Sequence, residues 1–354
     1  MKKALFALST LALASAGAFA QSSVKLYGIV DAAVRIETNQ GADKSSVTSV
    51  IPGGLSESRM GLDITEDLGG GYRALANMEH RFRSDEGGQA ATEFWRQAWV
   101  GLLTPMGRVT LGRQYNVLFD LTTGNHASYR YSPYIENFKP EIGNLLSGRQ
   151  SNMLKYALTA GGLTAELQYS ASEKGTVTLG EKTTGGMARY VMGGFSVGAG
   201  VLNSKTTSGK DAKATVLGAS YTSGGLYLNV SRTKNKFDAA YELGSAYATA
   251  FFKGASLVNA ATAKDRTMTS FGATYQITPQ FNLGAQYYDV SQNHYGAPKT
   301  DYKLYSMVGD YALSKRTDWY VEYDRVSMSS TSTMIFANGA RSRNGYMTGV
   351  RHRF

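Results

Sequence analysis

The 354-residue chain predicts an all-β fold, a transmembrane antiparallel β-barrel of about sixteen strands, and three observations carry that reading. An export address opens the chain. Period-two alternation then recurs between turn signals as far as the last residue. No later apolar run approaches the roughly 20 residues that a membrane-crossing helix needs.

The export address is Met1 to Ala20: Lys2 and Lys3 give a positive start, Ala4 to Ala14 is an apolar run, and Ala18-Phe19-Ala20 is a small-residue cleavage pattern. Residues 1–20 therefore read as a signal peptide, with the mature chain, 21–354, beginning at Gln21. Composition agrees with a barrel. Hydrophobic residues make up 42% and mean hydropathy is −0.26, too polar for a helical membrane protein. The 23 Tyr and 40 Gly suit interfacial aromatic belts and turns. Cysteine is absent, so stability has to come from strand pairing and closure rather than from disulfides. The formal charge of +10 falls to +8 once Lys2 and Lys3 leave with the signal, a balance that attracts anions but also fits nucleic acid or lipid headgroups.

The first strand covers Ser23 to Glu37, with Leu26, Gly28, Val30, Ala32, Val34 and Ile36 on one face and Lys25, Asp31 and Arg35 on the other. Later segments repeat it. Leu163, Ala165, Leu167 and Tyr169 alternate with Thr164, Glu166, Gln168 and Ser170; Tyr346, Val350, His352 and Phe354 oppose Gly349, Arg351 and Arg353. Alternation alone does not say which face is wet. Charges facing hydrocarbon are costly, however, so in a membrane the charged rows must line an aqueous lumen, and a barrel of about sixteen strands is wide enough to hold one.

The connections alternate between tight and long, as a two-rimmed barrel requires. Tight turns fall at Gly69-Gly70-Gly71, Pro105-Met106-Gly107, Ala160-Gly161-Gly162, Gly193-Gly194, Ser223-Gly224-Gly225, Thr278-Pro279-Gln280 and Ser314-Lys315-Arg316. Long loops fall near 38–54, 85–93, 115–150, 174–184, 204–212, 236–266, 292–301 and 329–344, and all six prolines lie in connections. Ala239 to Thr262 is Ala-rich, with Leu243, Tyr247 and Phe251 at helical spacing; it reads as a loop helix in preference to an extra hairpin, which would make about eighteen strands.

A series of segments then resembles a known family, the general-diffusion porins of Gram-negative bacteria, especially the trimeric porins of β-proteobacteria. They are Leu26 to Asp31, Ser58 to Gly61, Thr65 to Gly69, Arg96 to Leu102, Thr110 to Gln114, Tyr311 to Thr317 and the terminal Gly349 to Phe354. Each is weak alone, but their order and spacing span the mature chain. The resemblance implies an outer-membrane homotrimer of sixteen-stranded barrels, each narrowed by an inward-folded third extracellular loop, which residues 115–150 would supply. It implies surroundings of outer-membrane lipid and lipopolysaccharide. It also makes Phe354 the signal read by the barrel-assembly machinery, where the residues alone would place it in an aromatic girdle.

Porins of this class set cations of the wall against carboxylates of the loop. On that pattern the wall candidates are Arg59, Arg81 and Arg113, then Arg83, Arg96 and Lys155, with Arg96 of ambiguous parity beside Ala98 and Val100. Glu57, Asp63 and Glu79 stand ready to neutralise them. The loop candidates are Asp120, Glu136 and Glu141. Enterobacterial relatives carry an acid three residues before the Pro of this loop; here Asn137 holds that place and Lys139 adds a positive charge, so the expectation is weak anion selectivity. Tyr115, Tyr129, Tyr131 and Tyr134 read as packing anchors for the loop rather than as a stacking surface for solutes.

The expected activity is therefore passive diffusion of small hydrophilic solutes and ions, with a substrate-specific channel and a secreted β-sandwich adhesin as the competing readings. Catalysis has little support. The four histidines, His80, His126, His294 and His352, form no metal-spaced pair, and no Gly-x-Ser-x-Gly turn is present. No catalytic residue, metal or cofactor is expected. Nor is nucleic acid, because the basic residues alternate along strands instead of forming a tract with interleaved aromatics.

Overall fold

The computed structural model describes residues 22–126, 146, 148–171, 182–241, 255–256, 263–330, 332, 335–336 and 338–354. Sixteen strands make the wall. They are β1 (Ser23–Glu37), β2 (Arg59–Gly69), β3 (Tyr72–Arg81), β4 (Trp95–Thr104), β5 (Gly107–Tyr115), β6 (Arg149–Ala160), β7 (Leu163–Ser170) and β8 (Lys182–Met192). The second half continues with β9 (Phe195–Lys205), β10 (Asp211–Ser223), β11 (Leu226–Phe237), β12 (Ala263–Gln276), β13 (Phe281–His294), β14 (Thr300–Ala312), β15 (Thr317–Met328) and β16 (Ser342–Arg353). Each pairs antiparallel with its neighbours in chain order. The seam is closed by β1 on β16, from Ile29 opposite Arg353 to Glu37 opposite Gly345, while the lower part of β1 pairs with β2. A closed sheet leaves no strand edge unpaired.

Turn chemistry explains the two rims. At the tight rim Gly161, Gly193 and Gly224 adopt φ of 57°, 58° and 54°, the left-handed conformation that two-residue hairpins need and that side chains with a Cβ resist. The long connections lie at the other rim. A short strand, Val47–Ile51, doubles back on the upper part of β1. Past β11 the wall passes directly to β12, so among the described residues no extra hairpin enters the wall between them. Ala255–Ser256 is extended and pairs with Ile335–Phe336, which interrupts the helix expected through Thr262; Leu243, Tyr247 and Phe251 lie outside the described residues.

Burial is inverted relative to a water-soluble protein. On β1 the apolar Leu26 and Val30 are 60% and 40% exposed, whereas Asp31 and Arg35 are buried at 0% and 4%. The same inversion runs along β7, where Leu163, Leu167 and Tyr169 are exposed and Glu166, Gln168 and Ser170 are buried. A β-sandwich buries its apolar face, so this closed sheet with greasy exterior rows excludes the adhesin architecture.

Two aromatic belts bound the exterior. Towards the long-loop rim, Phe271, Tyr287 and Tyr305 succeed one another with centroids 5.0 Å apart, and Tyr323 meets Tyr346 at 5.3 Å. Towards the tight rim stand Phe195 and Tyr221, 4.4 Å apart, with Tyr275, Tyr311, Trp319 and Phe354. On β13 the step from Phe281 to Tyr287 spans ~20 Å along the tilted strand.

Candidate functional site

Five consecutive strands, β2 to β6, each contribute one arginine to a single cluster: Arg59, Arg81, Arg96, Arg113 and Arg149. Arg59 and Arg81 face each other in register, where alternation alone would put them. Arg96 requires a β-bulge. Glu79 pairs with Gln97 but His80 pairs with Trp95, so Arg96 is the extra residue; it turns inward to 2% exposure while Val100 and Leu102 stay outside. A second irregularity skips Arg113 between Gly112 and Gln114.

Three carboxylates hold the cluster. Glu57 accepts from Arg81 Nη1 at 2.9 Å and Arg96 Nε at 3.1 Å, and lies 3.9 Å from Arg149 Nη2. Glu79 meets Arg59 Nε at 3.3 Å and also Arg96 Nη1. Glu93 accepts from Arg81 at 2.9 Å and Arg113 at 3.0 Å. Burial raises the Glu93 carboxyl, but a backbone hydrogen bond and the guanidinium groups of Arg81, Arg113 and Arg149 outweigh it, and the carboxyl is held below the ordinary range. Asp63 accepts from Asn77 instead, at 2.6 Å. Among the described residues, five guanidinium groups gather around these three carboxylates.

Glu57 reaches the cluster on a strap, residues 52–58, that lies against the inner wall. Asp31 fastens it: the carboxylate accepts from Gly54 N at 3.0 Å, Leu55 N at 3.1 Å, Ser56 N at 2.8 Å and Tyr320 OH at 2.5 Å. Ser58 Oγ accepts from Asp31 N at 2.9 Å and donates to Asp31 O at 3.0 Å, so both ends of the strap are tied to one residue.

The 115–150 connection leaves β5 through Asn116, whose side chain caps helix α1 (Val117–Leu121) by accepting from Phe119 N at 2.8 Å. One wider helical turn, Thr122–His126, follows. Val117, Leu118 and Leu121 pack on Met187, Leu202, Ala214 and Val216, on the lumen-facing rows of β8 to β10. Glycine makes the close approach possible: a Cβ at Gly200 or Gly198 would run into Leu118 or Leu121, and one at Gly218 would strike the His126 ring. Tyr115 stacks on Phe119 at 3.8 Å with the Arg149 guanidinium 4.6 Å above it, joining this docked segment to the cluster.

Of the expected cations, Arg59, Arg81, Arg96 and Arg113 come together. Arg83 does not join them; it lies in the turn after β3, paired with Asp85 at 3.3 Å and Glu86 at 3.0 Å. Lys155 forms a neighbouring group, bonded to Asp120 at 2.5 Å and Tyr115 O at 3.0 Å, with Glu166 at 4.0 Å. Asp120 is thus tied to Lys155 instead of standing across from the arginines. Glu136, Glu141, Tyr129, Tyr131 and Tyr134 lie outside the described residues. Among the described residues the carboxylates opposing the arginines come from the strap, β3 and the connection before β4. Sequence reasoning missed Arg149 and Glu93, because both were counted into loops, and the register shift between Gln150 and Met153 breaks the alternation that runs from Lys155, so parity does not reach Arg149.

A sequence model described as Gram-negative porin matches residues 6–331. The outer membrane porin protein 32 of Delftia acidovorans is 30% identical over 385 aligned positions, covering 100% of both chains. An anion-selective porin from Comamonas acidovorans superposes with a TM-score of 0.75 at 25% identity, covering 94% of this chain and 100% of its own. OmpT of Vibrio cholerae, solved in a trimer form, shares the fold with a TM-score of 0.69 at 16% identity, covering 94% of this chain and 99% of its own.

Proposed function

The chain belongs to the Gram-negative porin family of the outer membrane, and from that premise we propose a passive channel for small hydrophilic solutes with weak anion preference, narrowed beside the arginine cluster. One observation carries the sign of the preference: among the described residues, five arginines on β2 to β6 gather around three carboxylates, and fixed positive charge in a narrow aqueous passage lowers the barrier for anions. The anion-selective porin from Comamonas acidovorans, similar over the whole barrel, supports the same sign. Arg59, Arg81, Arg96 and Arg113 are the wall cations of this reading, with Arg149 added; Lys155 and Asp120 brace the docked loop, and Arg83 pairs at the rim. Glu136 and Glu141 stay candidates for the facing edge, on the proposal that the rest of the loop crosses the lumen.

Three further assignments go with it. Residues 1–20 act as a cleaved signal peptide. Phe354 serves as the assembly-machinery signal, supported by its place at the end of the closing strand. The working unit is a homotrimer set in lipid and lipopolysaccharide, as the trimer form of a fold relative supports. No catalytic role is proposed.

Planar-bilayer recording across a KCl gradient tests the reading. The expected zero-current potential has the anion-selective sign, and Arg59→Gln or Arg113→Gln moves it towards cations. A cation-selective sign in the unaltered protein would end the preference, and an unmoved potential in both variants would remove those side chains from the narrowing.

A further inference from the structure

Below the arginine cluster the inner wall changes character. On β4 the inward row descends from Gln97, whose amide donates to Glu79 at 3.3 Å, through Trp99 and Gly101 to Leu103, while Val100 and Leu102 stay outside. On β3 the matching row is Glu79, Asn77, Leu75 and Arg73. Asn77 is in register with Trp99, Leu75 with Gly101 and Arg73 with Leu103, so Trp99, Leu75 and Leu103 make one apolar strip facing the lumen. The strip begins ~7 Å along the strands from Glu79 and continues for ~14 Å towards the tight rim.

Apolar side chains are out of place on the wall of an aqueous passage unless something covers them. Among the described residues three other inward apolar patches are buried, each packed with a folded-in segment: α1 in one, Phe336 in the second and Leu55 of the strap in the third. Trp99, Leu75 and Leu103 belong to none of the three, and all of them stay half-buried. Apolar surface left towards water in a passage favours a guest with an apolar body.

The upper end of the strip adjoins a guanidinium group. Trp99 is in register with Gly112, which adopts φ of 128° and is followed directly by Arg113. A Cβ at Gly112 would run into the Trp99 backbone and Cβ, so only glycine lets the two strands meet here. Arg113 keeps 25% of its side chain exposed, more than any of the other four arginines. Its bonds to Ser151 and Glu93, both 3.0 Å, occupy two of the five guanidinium N–H groups. At the lower end the charges balance. Lys25 faces Asp63 and Arg73 faces Asp67 in register, while Arg108, in register with Leu103, has Glu166 across Ala157. The charge that can hold an anion on the strip is therefore at its top.

We propose that the strip of Trp99, Leu75 and Leu103, with Arg113 above it, is a binding site within the passage for aromatic carboxylates. The ring lies against the Trp99 indole in an offset stack, and the carboxylate takes charge-assisted hydrogen bonds from Arg113. Acetate and chloride meet the guanidinium alone. The site rests on the anion-conducting reading, since a carboxylate has to enter the passage to reach it.

The test records the mature protein in planar bilayers in KCl, first for the sign of the zero-current potential and then for block of the current by added benzoate, acetate or benzamide. In the unaltered protein benzoate should half-block at a concentration at least about ten-fold below acetate, and benzamide, which keeps the ring and lacks the charge, should block no better than acetate. Trp99→Leu and, separately, Leu75→Asn leave every arginine in place and should bring benzoate within about two-fold of acetate. Equal block by benzoate and acetate in an unaltered, anion-selective channel would overturn the site while leaving the pore reading intact, and that comparison needs no variant to fold. A cation-selective potential would end both. Block by benzamide as strong as by benzoate would remove Arg113 from the site, and a preference of about ten-fold retained in both variants would remove the strip; either result overturns the proposal.

Discussion

Single residues set the balance of charge beside the passage, and two of them make it testable. Asp31 touches no arginine of the cluster, yet its carboxylate satisfies three backbone N–H groups and the Tyr320 hydroxyl, and so fixes where Glu57 stands. In Asp31→Ala the Gly54 N–H keeps Tyr320 Oη at 3.0 Å, but the Leu55 and Ser56 N–H groups are orphaned at a cost of about 1–3 kcal/mol each, enough to release the strap while β1 remains paired on both sides. The expected result is new protease cleavage within 52–58 together with a more anion-selective zero-current potential, as Glu57 leaves the arginines. Resistance to cleavage with an unchanged potential would deny Asp31 this positioning role. Glu93 gives the pH dependence. Its folded-state carboxyl is depressed, so its contribution is complete above the ordinary carboxylate range of about 4 and is lost as pH falls through the lower folded value. The part of the selectivity that depends on Glu93, read as the difference between the unaltered protein and Glu93→Gln, should hold constant from about pH 8 to about pH 5 and fade only in stronger acid. Glu93→Gln should show the acid-like potential at neutral pH; if it tracks the unaltered protein throughout, Glu93 lies off the ion path.

At the level of elements, what matters is how β5, α1 and the glycine rows of β9 and β10 fit together. Gly200→Val or Gly218→Val forces a side chain into the space of Leu118 or His126, an overpacking that costs roughly 1–3 kcal/mol and falls on the docked segment. Hydrogen exchange of Val117–His126 should rise with the sixteen strands unaffected; exchange as slow as in the unaltered chain would show that the segment does not depend on this notch. Element by element, the sequence is legible where chemistry is local. Glycine turns and period-two rows placed the strands and both rims, because φ above zero and charged rows against hydrocarbon each admit few residue types. Arg96 was ambiguous for a physical reason: a bulge changes parity by one residue and leaves no mark in a single sequence. Arg149 and Glu93 were lost at strand boundaries, and the strap of 52–58 depends on contacts between residues 289 apart such as Asp31 and Tyr320, which no local pattern reports.

For the whole molecule, closure is the decisive property. Phe354 exchanges backbone hydrogen bonds with Gly28, each 3.1 Å long, and its ring covers the glycine, so the final residue completes the seam. Deletion of Phe354 should lower the yield of the heat-modifiable, compact band on detergent gels while leaving the unfolded band unchanged. Equal yields would show that the terminal aromatic serves only in the girdle. The same seam carries an entropic cost. With Ile29 in register with Arg353, the two strands that close the wall lie more than 300 residues apart, and an intermediate lacking either one exposes a long row of unsatisfied amides. Closure is therefore the most non-local contact of the fold, and the loop-closure entropy it costs is repaid only when both distant strands meet.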